Sequence, residues 1–327
     1  MEAPVRWGII GTGAIAKKFA AALTLLPGAK LVAIGSRTKD KAEEFGKEHK
    51  VPHRHGSYHA LANDSEVDAV YVATPHSAHK ENALAALAAG KPVLLEKPFT
   101  INAAEAQDVI AAARTKKLLL VEAMWTRWLP LYVKLRELIA QRVIGDVRFL
   151  RSDFGFNARP DSNPRLFEPA LGGGALLDIG VYPVSLASMI FGPPAQATGF
   201  AQLGTTRVDE HCAITLSHPQ GQLAALWCSI RLNTAQEAEL IGTNGRIKIH
   251  SPSWRGTEMT LLHEGADPEL LKFPFEGNGY QFEVIEFMKC LRSGKLESAV
   301  MPLEESLSIM KTLDALRAQW GVKYPME

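Results

Sequence analysis

Val5-Arg6-Trp7-Gly8-Ile9-Ile10-Gly11-Thr12-Gly13-Ala14-Ile15-Ala16 is the stretch whose reading decides the fold. Val5 to Ile10 is an apolar run of the kind that forms a buried parallel strand. It enters a G-x-G-x-x-A turn, and a helix is expected to follow through about Leu25. Gly11 permits the tight turn, Gly13 lets the backbone approach a pyrophosphate, and Ala16 lets helix and strand pack closely. Helix N-terminal N–H groups attract that pyrophosphate, so Gly11, Gly13, Ala14 and Ile15 are expected to hold a dinucleotide.

A second strand is expected over residues 30–35, ending in Ser36-Arg37-Thr38-Lys39. An NAD site usually carries Asp or Glu here to bind the ribose hydroxyls. A serine hydroxyl and a guanidinium suit a 2′-phosphate instead, the arginine in bidentate fashion. NADP(H) is therefore expected over NAD(H). The plainer reading is that Ser36 caps the following helix and Arg37 is solvated.

Strands and helices go on alternating: helix 40–49, strand 67–73, an alanine-rich helix 82–90, strand 91–95, helix 103–114 and strand 118–123. This describes a doubly wound parallel α/β domain. Strand 67–73 runs into Thr74-Pro75-His76-Ser77-Ala78-His79. No third ligand is in obvious register with the two histidines, so no metal is expected there or elsewhere. Contact of Thr74, Pro75, His76 and His79 with the cofactor fits a loop at the carboxyl edge of the sheet. Strand 91–95 ends in Glu96-Lys97-Pro98, which puts Lys97 at the same edge; Pro98 stops the strand. Judged alone, Lys97 would as readily be a solvated loop lysine.

The segments G-T-G-A-I-A, A-T-P-H-x-x-H, E-K-P-F and E-A-M-W-T-R-W-L-P, with the later G-G-G-A-L-L-D-I-G-V-Y, resemble the glucose–fructose oxidoreductase / inositol dehydrogenase (Gfo/Idh/MocA) family over nearly the whole chain. Within it, Trp125, Thr126 and Arg127 look nearest to the dihydrodiol and NADP-dependent D-xylose dehydrogenases. The resemblance implies a Rossmann domain, residues 1–124. A C-terminal α+β domain, residues 125–327, is implied to carry a large, mostly antiparallel open sheet that pairs two subunits. The last helices are expected to pack back on the Rossmann domain. It also implies that Lys97 and Tyr182 carry catalysis with Asp178 in support, and that Glu96 lies at the cofactor. Trp125, Arg127, Phe154, Asp178, Tyr182, Trp254 and Tyr280 are the implied substrate contacts.

The chemistry needs such a pair. Oxidising an alcohol requires a base for the hydroxyl proton while the hydride leaves, and reduction requires the same group as an acid. A tyrosine titrates near pH 10 when unperturbed, and an ammonium beside it stabilises the phenolate. Asp178 and Tyr182 are four residues apart and share a face if residues 175–190 form an α-helix. The plainer readings are a core tyrosine on an apolar helix and a local ion pair for Asp178. The substrate class expected is a sugar such as xylose or glucose, or a cyclic trans-dihydrodiol. Alternatives are NADPH-linked reduction of a keto-sugar such as 1,5-anhydrofructose, an NAD-dependent glycosidase, and a non-catalytic nucleotide sensor.

Beyond a helix at 130–141 and a strand at 147–156, five successive strands are expected between residues 195 and 250, joined by turns such as Pro219-Gln220-Gly221, and terminal helices at 279–292 and 302–320. An apolar outer face on such a sheet favours a homodimer. The chain has 327 residues, 46% hydrophobic and 22% charged, with net charge +1, which gives no electrostatic case for nucleic acid or an anionic membrane surface. No run is read as long enough to span a bilayer. Cys212, Cys228 and Cys290 form no C-x-x-C pair and read as reduced, packed thiols. With a strand expected directly after Met1-Glu2-Ala3-Pro4, no secretory leader is expected and the location expected is cytoplasmic.

Overall fold

The structure is a computed structural model, and residues 3–327 are described. The chain forms two units: Met1–Trp125 with Glu276–Ser306, and Thr126–Phe275 with Leu307–Glu327. The first boundary falls one residue beyond the expected one. Residues 276–306 belong to the first unit, while most of the last helix belongs to the second.

In the first unit, strands β1 (Val5–Ile10), β2 (Ala29–Gly35), β3 (His53–His55), β4 (Ala69–Val72), β5 (Val93–Glu96) and β6 (Leu120–Ala123) form one sheet in the order β3-β2-β1-β4-β5-β6. Every neighbouring pair is parallel. β4, β5 and β6 are buried at every residue, as a sheet covered on both faces requires. Covering elements include α1 (Ala14–Leu23), α2 (Lys39–Glu48), α3 (Tyr58–Ala62), α4 (His79–Ala88) and α5 (Ala103–Lys116). Trp7, Phe19 and Tyr71 centre the core: the Phe19 and Tyr71 rings stack at 3.6 Å and Trp7 meets Phe19 edge-on at 5.3 Å. The later helix α8 (Gln281–Arg292; α6 and α7 follow below) places Phe287 5.0 Å from Trp7.

β3 and α3 have no counterpart in the sequence reading. β3 is His-Arg-His, three half-buried residues with no apolar period, held by backbone pairing to β2 at the sheet edge.

The second unit holds α6 (Pro130–Ala140) and an eight-stranded sheet. Its strands are β7 (Val147–Gly155), β8 (Gln196–Leu203), β9 (Asp209–Ser217), β10 (Leu223–Ser229), β11 (Ala238–Gly242), β12 (Gly245–Ile249), β13 (Glu258–His263) and β14 (Glu269–Lys272). The order is β14-β13-β12-β11-β7-β10-β9-β8, antiparallel throughout except between β7 and β10. β13 and β14 are additions to the expected strands. β13 alternates only over Glu258-Met259-Thr260-Leu261, turning Met259 and Leu261 inward, and β14 buries nothing completely.

Between β7 and β8 runs the most apolar helix of the chain. It begins with a wide, π-helical turn over Leu176–Gly180 and continues as α7 (Val181–Phe191). The uniform α-helix expected there is therefore corrected. Pro169–Phe191 also meets the length and hydropathy test for a membrane span, contrary to the expectation of none, but 78% of its most apolar window is buried inside the protein. A helix apolar all round is what a buried central helix looks like. Most of α9 (Leu303–Trp320) also belongs to this unit, and Trp320 donates its indole N–H to the Gly199 carbonyl on β8 at 2.9 Å. All three cysteines are buried and free, with Cys212 and Cys228 directly opposite on β9 and β10.

Candidate active site

In the first unit, every residue expected at the cofactor sits at or just beyond the carboxyl end of a strand, or at the start of the helix that follows. β1 and β4 are adjacent, and the chain leaves them toward opposite sides, which makes their ends the switch point where open α/β sheets bind ligands. Gly11 lies there with φ +111°, and a Cβ on it would come within 2.6 Å of the Ala73 carbonyl oxygen. Only glycine satisfies both demands. Gly13 is the N-cap of α1; no side chain caps that helix, and a Cβ at Gly13 would meet nothing within 4 Å. Among the described residues no side chain takes the first N–H groups of α1, which fits a pyrophosphate.

At the end of β2, Thr38 caps α2, its hydroxyl accepting from the Lys41 N–H at 3.4 Å. The cap considered for Ser36 therefore goes to Thr38, two residues on. Ser36 is fixed through its backbone, its N–H donating to the His55 carbonyl at 3.1 Å. The exposed Arg37 guanidinium makes no hydrogen bond or ion pair with the described residues. A cation and a hydroxyl without such partners at this position fit a 2′-phosphate.

His79 departs from expectation. It is completely buried, with Nδ1 2.9 Å from the Pro98 carbonyl and Nε2 3.0 Å from that of Thr74. Burial lowers its pKa to about 4, so the neutral ring donates through one nitrogen and ties the loop after β4 to the loop after β5. A residue with no exposed surface holds the cofactor loops in place rather than touching a ligand. His76 is buried beside it, ring centres 5.7 Å apart.

Glu96 closes β5. It accepts the Tyr71 hydroxyl and, at 3.0 Å, the Lys97 N–H. The Lys97–Pro98 bond is cis, and Lys97 is half-buried. Fully buried Glu283 of α8 adds a further ionisable group, which sequence reasoning missed. Burial, and then the charge of Glu96, push its carboxyl well above the ordinary carboxylate range. Trp125 stacks on Tyr280 in this unit, 4.9 Å apart and 16° from parallel.

In the second unit, Phe154 of β7, Tyr182 of α7 and Trp254 come together. Phe154 and Trp254 stack at 5.2 Å and 3° from parallel, and the Tyr182 ring lies 5.5 Å from Phe154. Trp254 is held at both ends: its indole N–H donates to Gln236 Oε1 at 2.9 Å, and its carbonyl accepts from Thr126 Oγ1 at 3.0 Å. Gln236 is locked by Asp153, whose carboxylate accepts its N–H at 2.7 Å. From Gly172 to Ser188 every residue is buried except Tyr182. Tyr182 is thus half-buried, where a core tyrosine, the plainer reading, is fully buried.

Asp178 accepts from the Arg165 guanidinium at 2.9 Å, the local ion pair considered for it. Arg127, expected to bind substrate, is 3% exposed and gives its guanidinium to Ser185 of α7: Nε and Nη2 reach the hydroxyl at 3.1 and 2.9 Å, and Nη2 the carbonyl at 2.8 Å. Its place is in holding α7. The start of the same helical segment is held by fully buried Asp209, which accepts the Leu176 N–H at 2.6 Å. Gly174 has φ +113°, and a Cβ on it would sit 2.3 Å from the Asp209 carboxylate. The G-G-G run thus makes room for this cap, whose acceptor comes from β9 and which no local pattern could reveal.

Residues 5–123 match the oxidoreductase family with an NAD-binding Rossmann fold, and residues 132–248 match the GFO/IDH/MocA C-terminal domain. The chain belongs to the Gfo/Idh/MocA oxidoreductase family. Among its relatives, trans-1,2-dihydrobenzene-1,2-diol dehydrogenase of Homo sapiens is 37% identical over 332 residues, covering 99% of each chain. The enzyme of that name from Mus musculus matches equally, at 37% over 332 residues and 99% of each chain. Among solved structures, the 3-ketoreductase KijD10 of Actinomadura kijaniata, crystallised with NADP and TDP-benzene, superposes with TM-score 0.85 at 28% identity, over 96% of this chain and 97% of its own. The aldose-aldose oxidoreductase of Caulobacter crescentus shares the fold, with TM-score 0.87 at 24% identity, over 97% of this chain and 98% of its own. The Gfo/Idh/MocA architecture of a parallel Rossmann sheet and a large, mostly antiparallel second sheet is what the two units display.

Proposed function

We propose that this chain is an NADP(H)-dependent oxidoreductase that moves a hydride between the nicotinamide and a CH–OH or C=O carbon of a cyclic trans-dihydrodiol or a sugar. The observation that carries the reading is Tyr182, the one partly exposed residue in an otherwise buried helical stretch, set against the Phe154–Trp254 stack. A phenol so placed is offered to a ligand, and the flat apolar wall beside it suits a dihydrodiol ring or the apolar face of a pyranose.

Gly11, Gly13, Ala14 and Ile15 would hold the pyrophosphate, and Ser36 with Arg37 the 2′-phosphate, through the groups left open at the ends of β1 and β2. When bound, the nicotinamide accepts or gives the hydride. Tyr182 takes the hydroxyl proton in oxidation and returns it in reduction, and Lys97 supplies the cation that stabilises its phenolate. Asp178, tied to Arg165, supports the substrate hydroxyls. The full-length likeness to the dihydrodiol dehydrogenases supports oxidation of a diol. Likeness to an NADP-bound 3-ketoreductase supports reduction by the same residues run in reverse. The three free, buried thiols agree with a reducing, cytoplasmic setting.

We also propose a homodimer through the outer face of the second sheet. Phe200, Ala213 and Trp227 lie side by side on β8, β9 and β10, and Phe200 is 87% exposed. An exposed apolar row of this kind marks an association surface.

The test is to supply NADP+ with trans-dihydrodiols, D-xylose and D-glucose and follow nicotinamide absorbance. Stoichiometric reduction of NADP+ is expected, with kcat/KM lower for NAD+. Tight nucleotide binding with no turnover on any polyol or keto-sugar would leave a nucleotide sensor instead.

A further inference from the structure

Three metal-ligating side chains converge in the first unit, apart from every residue given a role above. His53 and His55 are two apart on β3, so their side chains share one face of the strand. Both reach the same atom: His53 Nδ1 lies 2.6 Å and His55 Nε2 2.9 Å from Asp64 Oδ2. The three ligand atoms all lie within 4.8 Å of one another.

The surroundings fix the carboxylate. Asp64 sits just after α3, its other oxygen accepting the Glu66 N–H at 2.8 Å while its carbonyl accepts from Lys91 Nζ at 2.9 Å. Its free choice of orientation is gone before any ligand arrives, as in sites whose outer partners orient the ligating groups. The histidine rings are partly exposed, at 39% and 24%, which leaves an ion a way in.

We propose that His53, His55 and Asp64 form a binding site for a divalent late transition metal, zinc being the simplest occupant. Two imidazole nitrogens and one carboxylate oxygen are the donor set such ions take, with water as the fourth ligand. Metal–ligand bonds of about 2.0–2.2 Å in a tetrahedron put donor atoms roughly 3.3–3.5 Å apart. The present spacings need to open by several tenths of an ångström, which two half-exposed rings supply by small rotations. The bound ion would pin β3 to the turn after α3. Because the His55 carbonyl accepts from Ser36, it would also stiffen the end of β2.

The test uses the full chain, stripped with EDTA and titrated with Zn2+ by calorimetry and with Co2+ by visible absorption. Saturation at one ion per chain and tetrahedral Co2+ bands are expected, together with a rise in melting temperature on adding Zn2+. His53→Gln and His55→Gln keep a side chain able to donate to Asp64 while removing the nitrogen ligand. Each is expected to weaken metal binding at least about tenfold. His59→Ala, outside the cluster, is expected to bind as the unmodified chain does. No saturable binding, or affinity in both glutamine variants unchanged from that of the unmodified chain, would overturn the site and leave the cluster a hydrogen-bonded clasp. None of these readouts depends on the cofactor or on turnover, so their outcome is independent of the oxidoreductase assignment.

Discussion

Lys97 follows the last residue of β5, Arg37 lies two residues past β2, and Tyr182 is the second residue of α7. Lys97→Met removes the cation while NADP+ binding, measured by fluorescence quenching, stays near that of the unmodified chain. Turnover is expected to fall about 10²–10⁴-fold, the usual worth of acid–base assistance. Tyr182→Phe is expected to lose a similar factor and to flatten the pH profile; a profile like that of the unmodified chain would reject Tyr182 as the proton carrier. Arg37→Ala removes a charge-assisted bond worth about 1.5–3 kcal/mol, hence roughly 10- to 100-fold in NADP+ affinity. NAD+ affinity should barely move, and equal losses for both cofactors would undo the phosphate assignment. The positions of these residues in the chain were legible because a strand end or motif marks each one. Arg127 and His79 were misplaced for the opposite reason: their partners, Ser185 and the Pro98 and Thr74 carbonyls, come from other segments.

At the scale of elements, the helical segment carrying Asp178 and Tyr182 depends on Asp209 of β9. Burial raises the Asp209 carboxyl to about 7, against the opposing hydrogen bond from Leu176 N–H. Its unfolded value is near 3.8, so between about pH 4 and pH 7 the folded chain holds a proton that the unfolded chain has released. Stability from this group is full below pH 4 and falls as pH rises toward 7, by up to about 1.4 kcal/mol per pH unit. Asp209→Asn still offers an oxygen to Leu176 and cannot titrate. Urea unfolding across that range is expected to show a shallower decline for the variant; an unchanged slope would show that Asp209 is not the group responsible. The π-turn is likewise an element-scale outcome. Its sequence, Leu-Leu-Asp-Ile-Gly, carries no sign of the wider turn that brings Gly180 against Cys228, whose sulfur would lie 2.9 Å from a Cβ there.

For the whole molecule, the outer face of the second sheet sets the prediction. Phe200→Glu puts a charge in the centre of the Phe200–Ala213–Trp227 row, where an interface core excludes charge. Light scattering is expected to report a dimer for the unmodified chain and a monomer for the variant, with the far-ultraviolet spectrum unchanged. A monomer in both would remove the sheet face as the dimer surface.

The sequence by itself determined the Rossmann half, the loops that would hold a dinucleotide, the lysine at the sheet edge and the family. Each rests on local backbone demands, such as a glycine with positive φ, a buried apolar run or a proline stop, and local demands are written where they act. Only the tertiary structure decided which aromatic residues gather around Tyr182, which arginine is buried, and that His53 and His55 meet Asp64. Those meetings depend on strand register and on turns that bring separated segments together, and side chains distant in sequence carry no mark of the neighbours that register gives them.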